Sequence, residues 1–247
     1  MTIAKLLKPV ALAIGITAAT VPLSQAEDFS KSEIEEIVHQ YILENPEVIG
    51  EAFRALQLKA EEAKAQQEAQ KLEQATKQLI NNPIDPVGGN IDGEITIVEF
   101  FDYNCGYCKR ANEILQQLIA NNPDLRVVYK EWPILSEHSK TAAEIALAVN
   151  LAFPEKYETF HRAMLKTRSI RSEDDVWKVV DKLELDQAAI KEKLNDESIS
   201  EHISTSTALA QQLGITGTPA FIVGNNILKG AYPLEAIQEA IEKVKAQ

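Results

Sequence analysis

The residues with the clearest chemical purpose are Cys105 and Cys108, the only cysteines in the chain, separated by Gly106 and Tyr107. A dithiol at this spacing can close into a disulfide and reopen by thiolate attack on sulfur, so it suits thiol–disulfide exchange. Other uses of two cysteines fit less well. A structural cross-link at this spacing closes a very short loop and constrains the unfolded chain little. Zinc would need two more ligands, and His39, His138, His161 and His202 are scattered without metal-ligand spacing. Covalent haem requires histidine directly after the second cysteine, where this chain has Lys109. Neither a metal nor a cofactor is expected.

The flanking pattern indicates how the pair is held. Glu94-Ile95-Thr96-Ile97-Val98-Glu99-Phe100-Phe101 is rich in β-branched and aromatic residues and reads as a buried strand. Asp102-Tyr103-Asn104 breaks it. From Lys109 to Ala120, the residues Ala111, Ile114, Leu115, Leu118 and Ile119 fall at helical spacing, which places the dithiol at a helix N-terminus. Free backbone N–H groups and the positive end of the helix dipole there favour thiolate over thiol. Cys105, ahead of the first turn, is the expected accessible nucleophile. Cys108, one turn further in, faces the core and resolves a mixed disulfide by closing the Cys105–Cys108 bond. Two residues admit two readings each. Glu99 is either a buried acid with a raised pKa, suited to proton transfer, or an exposed carboxylate on an edge strand. Pro219 follows Thr218 in a turn and takes either a cis or the commoner trans bond.

The run Phe100-Phe101-Asp102-Tyr103-Asn104-Cys105-Gly106-Tyr107-Cys108, with Gly214-Ile215-Thr216-Gly217-Thr218-Pro219-Ala220-Phe221 downstream, resembles the DsbA-like branch of the thioredoxin superfamily. The likeness covers roughly residues 84–247. It implies an α/β protein: a thioredoxin fold with a helical insertion at about 136–213, occupying residues 83–247, behind an N-terminal α-helical extension. The sequence is laid out accordingly, with strand Leu125–Lys130, helical sequence Ser136–Gln212, strand Ala220–Val223, a turn, strand Ile227–Lys229 and a last helix from Pro233. In such proteins the proline matching Pro219 is cis and faces the dithiol, and the residue matching Thr218 offers backbone hydrogen bonds to an extended substrate. The acid matching Glu99 exchanges protons with the inner cysteine. The pair matching Gly106-Tyr107 tunes the balance of dithiol and disulfide. Gly-Tyr departs from the Pro-His of the strongest oxidases and is similar to the pair in the dimeric periplasmic disulfide isomerases.

The remainder concerns address and assembly. Residues 1–26 read as a signal peptide: Lys5 and Lys8, an apolar run from Val10 to Val21 too short to span a bilayer, then Ser24-Gln25-Ala26 before the expected cleavage. Residues 27–82 read as a helical arm. Ser30 to Glu33 forms a capping box ahead of Ile34, Ile37, Val38, Tyr41 and Ile42. A second helix is expected from about Pro46 to Ile80, apolar at Val48, Ile49, Ala52, Phe53 and Leu56, then polar from Lys59 to Lys71. Such apolar faces either pack on their own domain or find partners in another subunit, and the second reading is favoured because so polar a connector has little to bury. A net charge of -12, or -14 without residues 1–26, disfavours nucleic acid. The expected function is a periplasmic thiol:disulfide oxidoreductase that forms or isomerises disulfides, with surface or outer-membrane association an open option. Its partners would be exported cysteine-containing clients, a membrane redox partner and further copies of itself. The alternative is a chaperone or binding protein in which the dithiol is secondary.

Overall fold

The computed structural model describes residues 29–246. The expected signal peptide, residues 1–26, lies outside the described residues. The chain divides into two compact units, the first ending at Lys59 and the second beginning at Ala60.

In the first unit, α1 (Lys31–Glu44) starts at Ser30, whose hydroxyl accepts from the Glu33 amide while the Glu33 carboxylate accepts from the Ser30 amide. This capping box satisfies amides that have no partner within the helix. Ile34, Ile37, Val38 and Tyr41 lie on α1, and each is about half exposed. The long α2 (Glu47–Ile80) begins here, with Ile49, Phe53 and Leu56 also exposed.

The second unit contains the rest of α2. Leu72, Ala75 and Leu79 are buried, so the unit boundary falls inside the helix rather than at residues 82/83. The cause is a change of pattern: apolar residues at helical spacing resume at Leu72, after the polar run, and face a sheet. That sheet has the order β1-β3-β2-β4-β5, formed by β1 (Val87–Gly89), β2 (Ile95–Phe101), β3 (Leu125–Glu131), β4 (Ala220–Val223) and β5 (Asn226–Lys229). The pair β2/β3 is parallel, and the other three pairs are antiparallel. Strand β1 falls in a stretch that reads as turns because of Gly88 and Gly89. A Cβ on Gly88 would come 2.8 Å from the Tyr129 ring, so glycine lets this edge lie over a large aromatic.

Both faces of the sheet are covered, so the central strands alternate between two cores rather than between core and solvent. Ile97 and Phe101 face a core shared with Leu115 and Leu118 of α3 (Gly106–Asn121), Ile145 of α4 (Glu137–Ala152) and Ile241 of α9 (Leu234–Lys245). Val98, Phe100 and Trp132 face the other, with Leu72, Ala75 and Leu79 of α2 and Leu209 of α8 (Glu197–Gln212). Between α4 and α8 run α5 (Tyr157–Lys166), α6 (Glu173–Lys182) and α7 (Gln187–Lys193), completing the helical insertion. Side-chain caps begin three of these helices: Ser136 on α4, Asp186 on α7 and Asp196 on α8. The mixed sheet, its helices and the N-terminal helical extension agree with the fold class read from the sequence.

Candidate active site

Strand β2 runs to Phe101, and the chain then turns through Asp102, Tyr103 and Asn104 before α3 begins. The buried Asp102 carboxylate organises this turn, accepting from the Asn104 amide at 2.8 Å and from the Ile134 and Leu135 amides at 2.9 and 3.0 Å. Asn104 binds the insertion: its Oδ1 accepts from the Ile170 amide at 2.9 Å and its Nδ2 donates to the Ile170 carbonyl at 3.2 Å. Cys105 is thereby placed as the N-cap of α3, with extended backbone (φ -73°, ψ 116°). Its sulfur sits where the first-turn amides point.

Both cysteines are buried, so the accessibility expected of Cys105 is not what separates them; they differ in proton affinity. Cys105 is 7% exposed and Cys108 is fully buried; both are free thiols here. The Cys105 pKa falls to about 5 because the Cys108 thiol bonds to its sulfur, with further help from Thr218 and the backbone amides of Cys108 and Tyr107, against the opposing cost of burial. Burial, and the Cys105 sulfur beside it, push the Cys108 thiol far upward. Cys105 is thus the thiolate and Cys108 the proton-holding partner.

The bond from Thr218 to Pro219 is cis. The Thr218 carbonyl lies 3.3 Å from the Cys105 sulfur, which donates to it as a thiol. A groove of about 260 Å³ opens beside them, lined by Tyr107, Thr216, Gly217, Thr218, Lys229 and Gly230. Tyr107 is 59% exposed on its rim, with the Arg110 guanidinium 4.3 Å from the ring centroid. A Cβ on Gly106 would meet nothing within 4 Å, so this glycine answers no steric demand in the fold.

Glu99 is fully buried on β2, a strand hydrogen-bonded on both sides. The exposed edge-strand reading is therefore overturned: β3 and β4 flank the strand, and the face Glu99 shares with Phe101 is core. Neither carboxylate oxygen has a hydrogen-bond partner among the described residues. Desolvation, with the negative Cys105 sulfur adding to it, raises its pKa to about 8. A carboxyl group titrating there can hold or release a proton near neutrality.

The structure brings all the expected residues, Glu99, Cys105, Gly106, Tyr107, Cys108, Thr218 and Pro219, into one part of the second unit. It adds others. Asp102 and Asn104 carried a sequence signal, since Asp and Asn after a strand cap turns. Lys109 donates to the Thr167 and Arg168 carbonyls at 2.6 and 3.1 Å, and desolvation lowers its pKa. Behind the turn, Tyr103 and Tyr157 donate to the Glu131 carboxylate at 3.0 and 2.9 Å, and Tyr103 meets His161 Nδ1 at 3.2 Å. No local pattern marks those four residues as a group. Among the described residues, no group of three or more His, Cys, Asp or Glu side chains is arranged to hold a metal ion.

A helix-capping dithiol facing a cis-proline turn on a mixed sheet defines a thioredoxin-type redox site. Residues 96–242 match the DSBA-like thioredoxin domain, and the chain belongs to this family. Residues 31–63 match the copper resistance protein ScsC N-terminal domain. Among solved structures, a thioredoxin-like oxidoreductase from Silicibacter pomeroyi is 38% identical, with TM-score 0.66, over 69% of this chain and 98% of that one. A linker-deletion mutant of Proteus mirabilis ScsC is 26% identical, with TM-score 0.69, over 90% of this chain and 99% of that one. Disulfide bond formation protein D of Bacillus subtilis is 25% identical over 64% of this chain and 76% of its own length. The chain spans about a quarter of two other curated relatives, Na(+)/H(+) antiporters NhaA of Salinispora tropica and Salinispora arenicola.

Proposed function

We propose that this chain is an exported thiol:disulfide oxidoreductase acting on cysteine-containing client proteins. The observation that carries the proposal is the Cys105 sulfur, acidified at a helix N-terminus and set against Thr218 beside an open groove. As an oxidant, the Cys105–Cys108 disulfide is attacked at Cys105 by a client thiolate; the intramolecular S–S bond breaks, a mixed disulfide forms, and Cys108 leaves as a thiolate that takes a proton. A second client thiolate then displaces Cys105, so the client loses two electrons and the dithiol gains them. As an isomerase, the reduced Cys105 thiolate attacks a client disulfide, forming a mixed disulfide and releasing one client thiolate; a thiolate from a different client cysteine then attacks the client sulfur bound to Cys105, forming the new client disulfide and expelling Cys105 as a thiolate, with no net electron transfer. Glu99, the buried acid nearest in role, takes and returns the Cys108 proton.

Gly106-Tyr107 supplies no histidine to stabilise the thiolate further, which moderates oxidising power and suits isomerisation. The arm up to Lys59 joins copies of the chain through its exposed apolar residues, so that several sites act on one client. Residues 1–26 direct export to the periplasm, where a membrane redox partner resets the dithiol. Reactivation of scrambled ribonuclease tests the reading: the full chain accelerates it and Cys105→Ser abolishes that gain. A Cys105→Ser chain that is catalytically dead yet suppresses client aggregation at full strength would support the chaperone reading, which the apolar row on α1 and α2 favours.

A further inference from the structure

A second cleft, of about 680 Å³, lies between α5 and α6. Arg162 and Lys166 line it from α5, Lys178 and Lys182 from α6, and Asp175 is its one acid. On a chain of net charge -12, the lining of this cleft carries four cations and one carboxylate, although Glu173, Asp174 and Asp181 also stand on α6. Asp175 is already engaged, bonding the Lys178 ammonium at 3.0 Å and accepting from the Arg171 amide at 3.1 Å. The Arg162 guanidinium donates to the neutral Gln116 side chain at 2.9 Å, while Glu158, one turn earlier, accepts from the Gly89 amide. Among the described residues, no carboxylate lies within 4.0 Å of a nitrogen of Arg162, Lys166 or Lys182. Three of the four lining cations thus have no ion-pair partner among the described residues.

The cleft also adjoins the catalytic helix. Thr167, in its wall, accepts from Lys109, one turn beyond Cys105 on α3. Ile170, three residues on, is hydrogen-bonded in both directions to Asn104, the neighbour of Cys105. We propose that this cleft docks an acidic segment of a client polypeptide while the client's cysteine exchanges with Cys105. The proposal rests on the oxidoreductase reading and names the class of client. From Asp175 to Lys182 the α6 wall spans about 10 Å, the reach of about three extended residues. A short run of Glu or Asp in extended conformation fits such a trough. An anionic bilayer fits poorly, because its surface cannot enter a concavity and the chain's overall charge opposes approach.

The test uses the oxidised full chain and cysteine peptides carrying about four glutamates at varied spacings on either side of the cysteine, against the same peptides with serine in place of glutamate. Mixed-disulfide formation is expected to run about tenfold faster for at least one glutamate spacing at low salt, and to lose the advantage at about 0.5 M salt. In the double variant Lys166→Glu/Lys182→Glu the glutamate advantage disappears while the serine-peptide rate holds, which also shows the variant to be folded. No glutamate advantage at any spacing, or an equal loss for both peptides in the variant, overturns the inference. Vesicles of phosphatidylglycerol that bind the wild type and not the variant, with no peptide preference, would also overturn it in favour of a lipid surface. If serine peptides form no mixed disulfide, the oxidoreductase reading itself fails. Anisotropy of fluorescein-labelled tetraglutamate, which has no thiol, then decides the cleft separately: binding to the wild type and not the variant supports docking, and equal or absent binding overturns it.

Discussion

Cys105 and Cys108 lie one helical turn apart yet their proton affinities move in opposite directions, since one sulfur receives hydrogen bonds at the helix mouth and the other is stripped of water. Alkylation of the reduced protein by iodoacetamide across a pH series should follow a Cys105 midpoint near 5 rather than the ordinary 9, with Cys108 unreactive until the chain unfolds. A midpoint close to 9 would contradict the assignment. Glu99 gives the opposite sign to the usual carboxylate. In the fold it keeps its proton up to about pH 8, whereas once exposed it ionises near 4.5. Unfolding therefore releases a proton in that interval, so this contribution to stability is intact below the exposed value and is lost as pH rises through the folded one. Glu99→Gln removes the dependence. In urea titrations of the reduced protein, the variant should gain on the wild type by an amount on the order of 3–5 kcal/mol between the two pH limits. A pH-independent difference between the two proteins would refute the buried-acid assignment. The variant should also slow release of a mixed disulfide by Cys108.

The elements are tied together by polar groups that burial leaves no freedom to rearrange. Lys130 on β3 donates to Asp85 and to the Gln78 carbonyl at the end of α2, the latter at 2.8 Å. His202 of α8 accepts the Glu131 amide at Nε2, 3.1 Å away, which leaves the proton on Nδ1, 3.1 Å from the other Asp85 oxygen. Strand β3 and the insertion thus meet at one buried carboxylate, and Lys130 ties the end of α2 to the same cluster. Removing one partner of such a pair strands the other without water. Lys130→Met should cost about 3–5 kcal/mol, and Lys130→Met/Asp85→Leu should cost less than the sum of its single changes, both read from urea midpoints. Additive losses would mean that the ion pair is not what joins these elements. Beside it, Tyr103 and Tyr157 donate to the Glu131 carboxylate and Tyr103 meets His161, so the turn that carries Cys105 rests on a network rather than on packing alone.

At the scale of the whole chain, the division at Lys59/Ala60 determines where the arm can be removed. Cutting after residue 80 would take Leu72, Ala75 and Leu79 out of the core and the Gln78 carbonyl away from Lys130. A chain beginning at Ala60 keeps those contacts. It should be monomeric by light scattering, oxidise small dithiols at the rate of the full chain, and reactivate scrambled ribonuclease several-fold more slowly, since effective concentration is lost while chemistry is not. An unchanged mass after this truncation would remove the multivalent account. Among the described residues no helix is long and apolar enough to cross a membrane.

Local order was open to reading because its causes are local. The Ser30 capping box, the helical spacing after Cys108, the β-branched run before Asp102 and the turn at Gly224 each announce their element within a few residues. The dithiol announced its chemistry by spacing alone. Strand β1 was hidden because glycine carries no pattern, and its reason for being a strand, the Tyr129 ring above Gly88, lies 41 residues away. The fate of Glu99 was likewise undecidable locally: alternation names the face a residue takes, but only the assembled sheet shows that both faces are covered. The basic cleft and the Lys130–Asp85–His202 cluster are assemblies of residues far apart in the chain, and no window of sequence contains them. Sequence determined which groups this protein owns and which short elements carry them. Tertiary structure decided which groups lose their water and which charges end up side by side, because desolvation and Coulomb energy depend on distance in space and not along the chain.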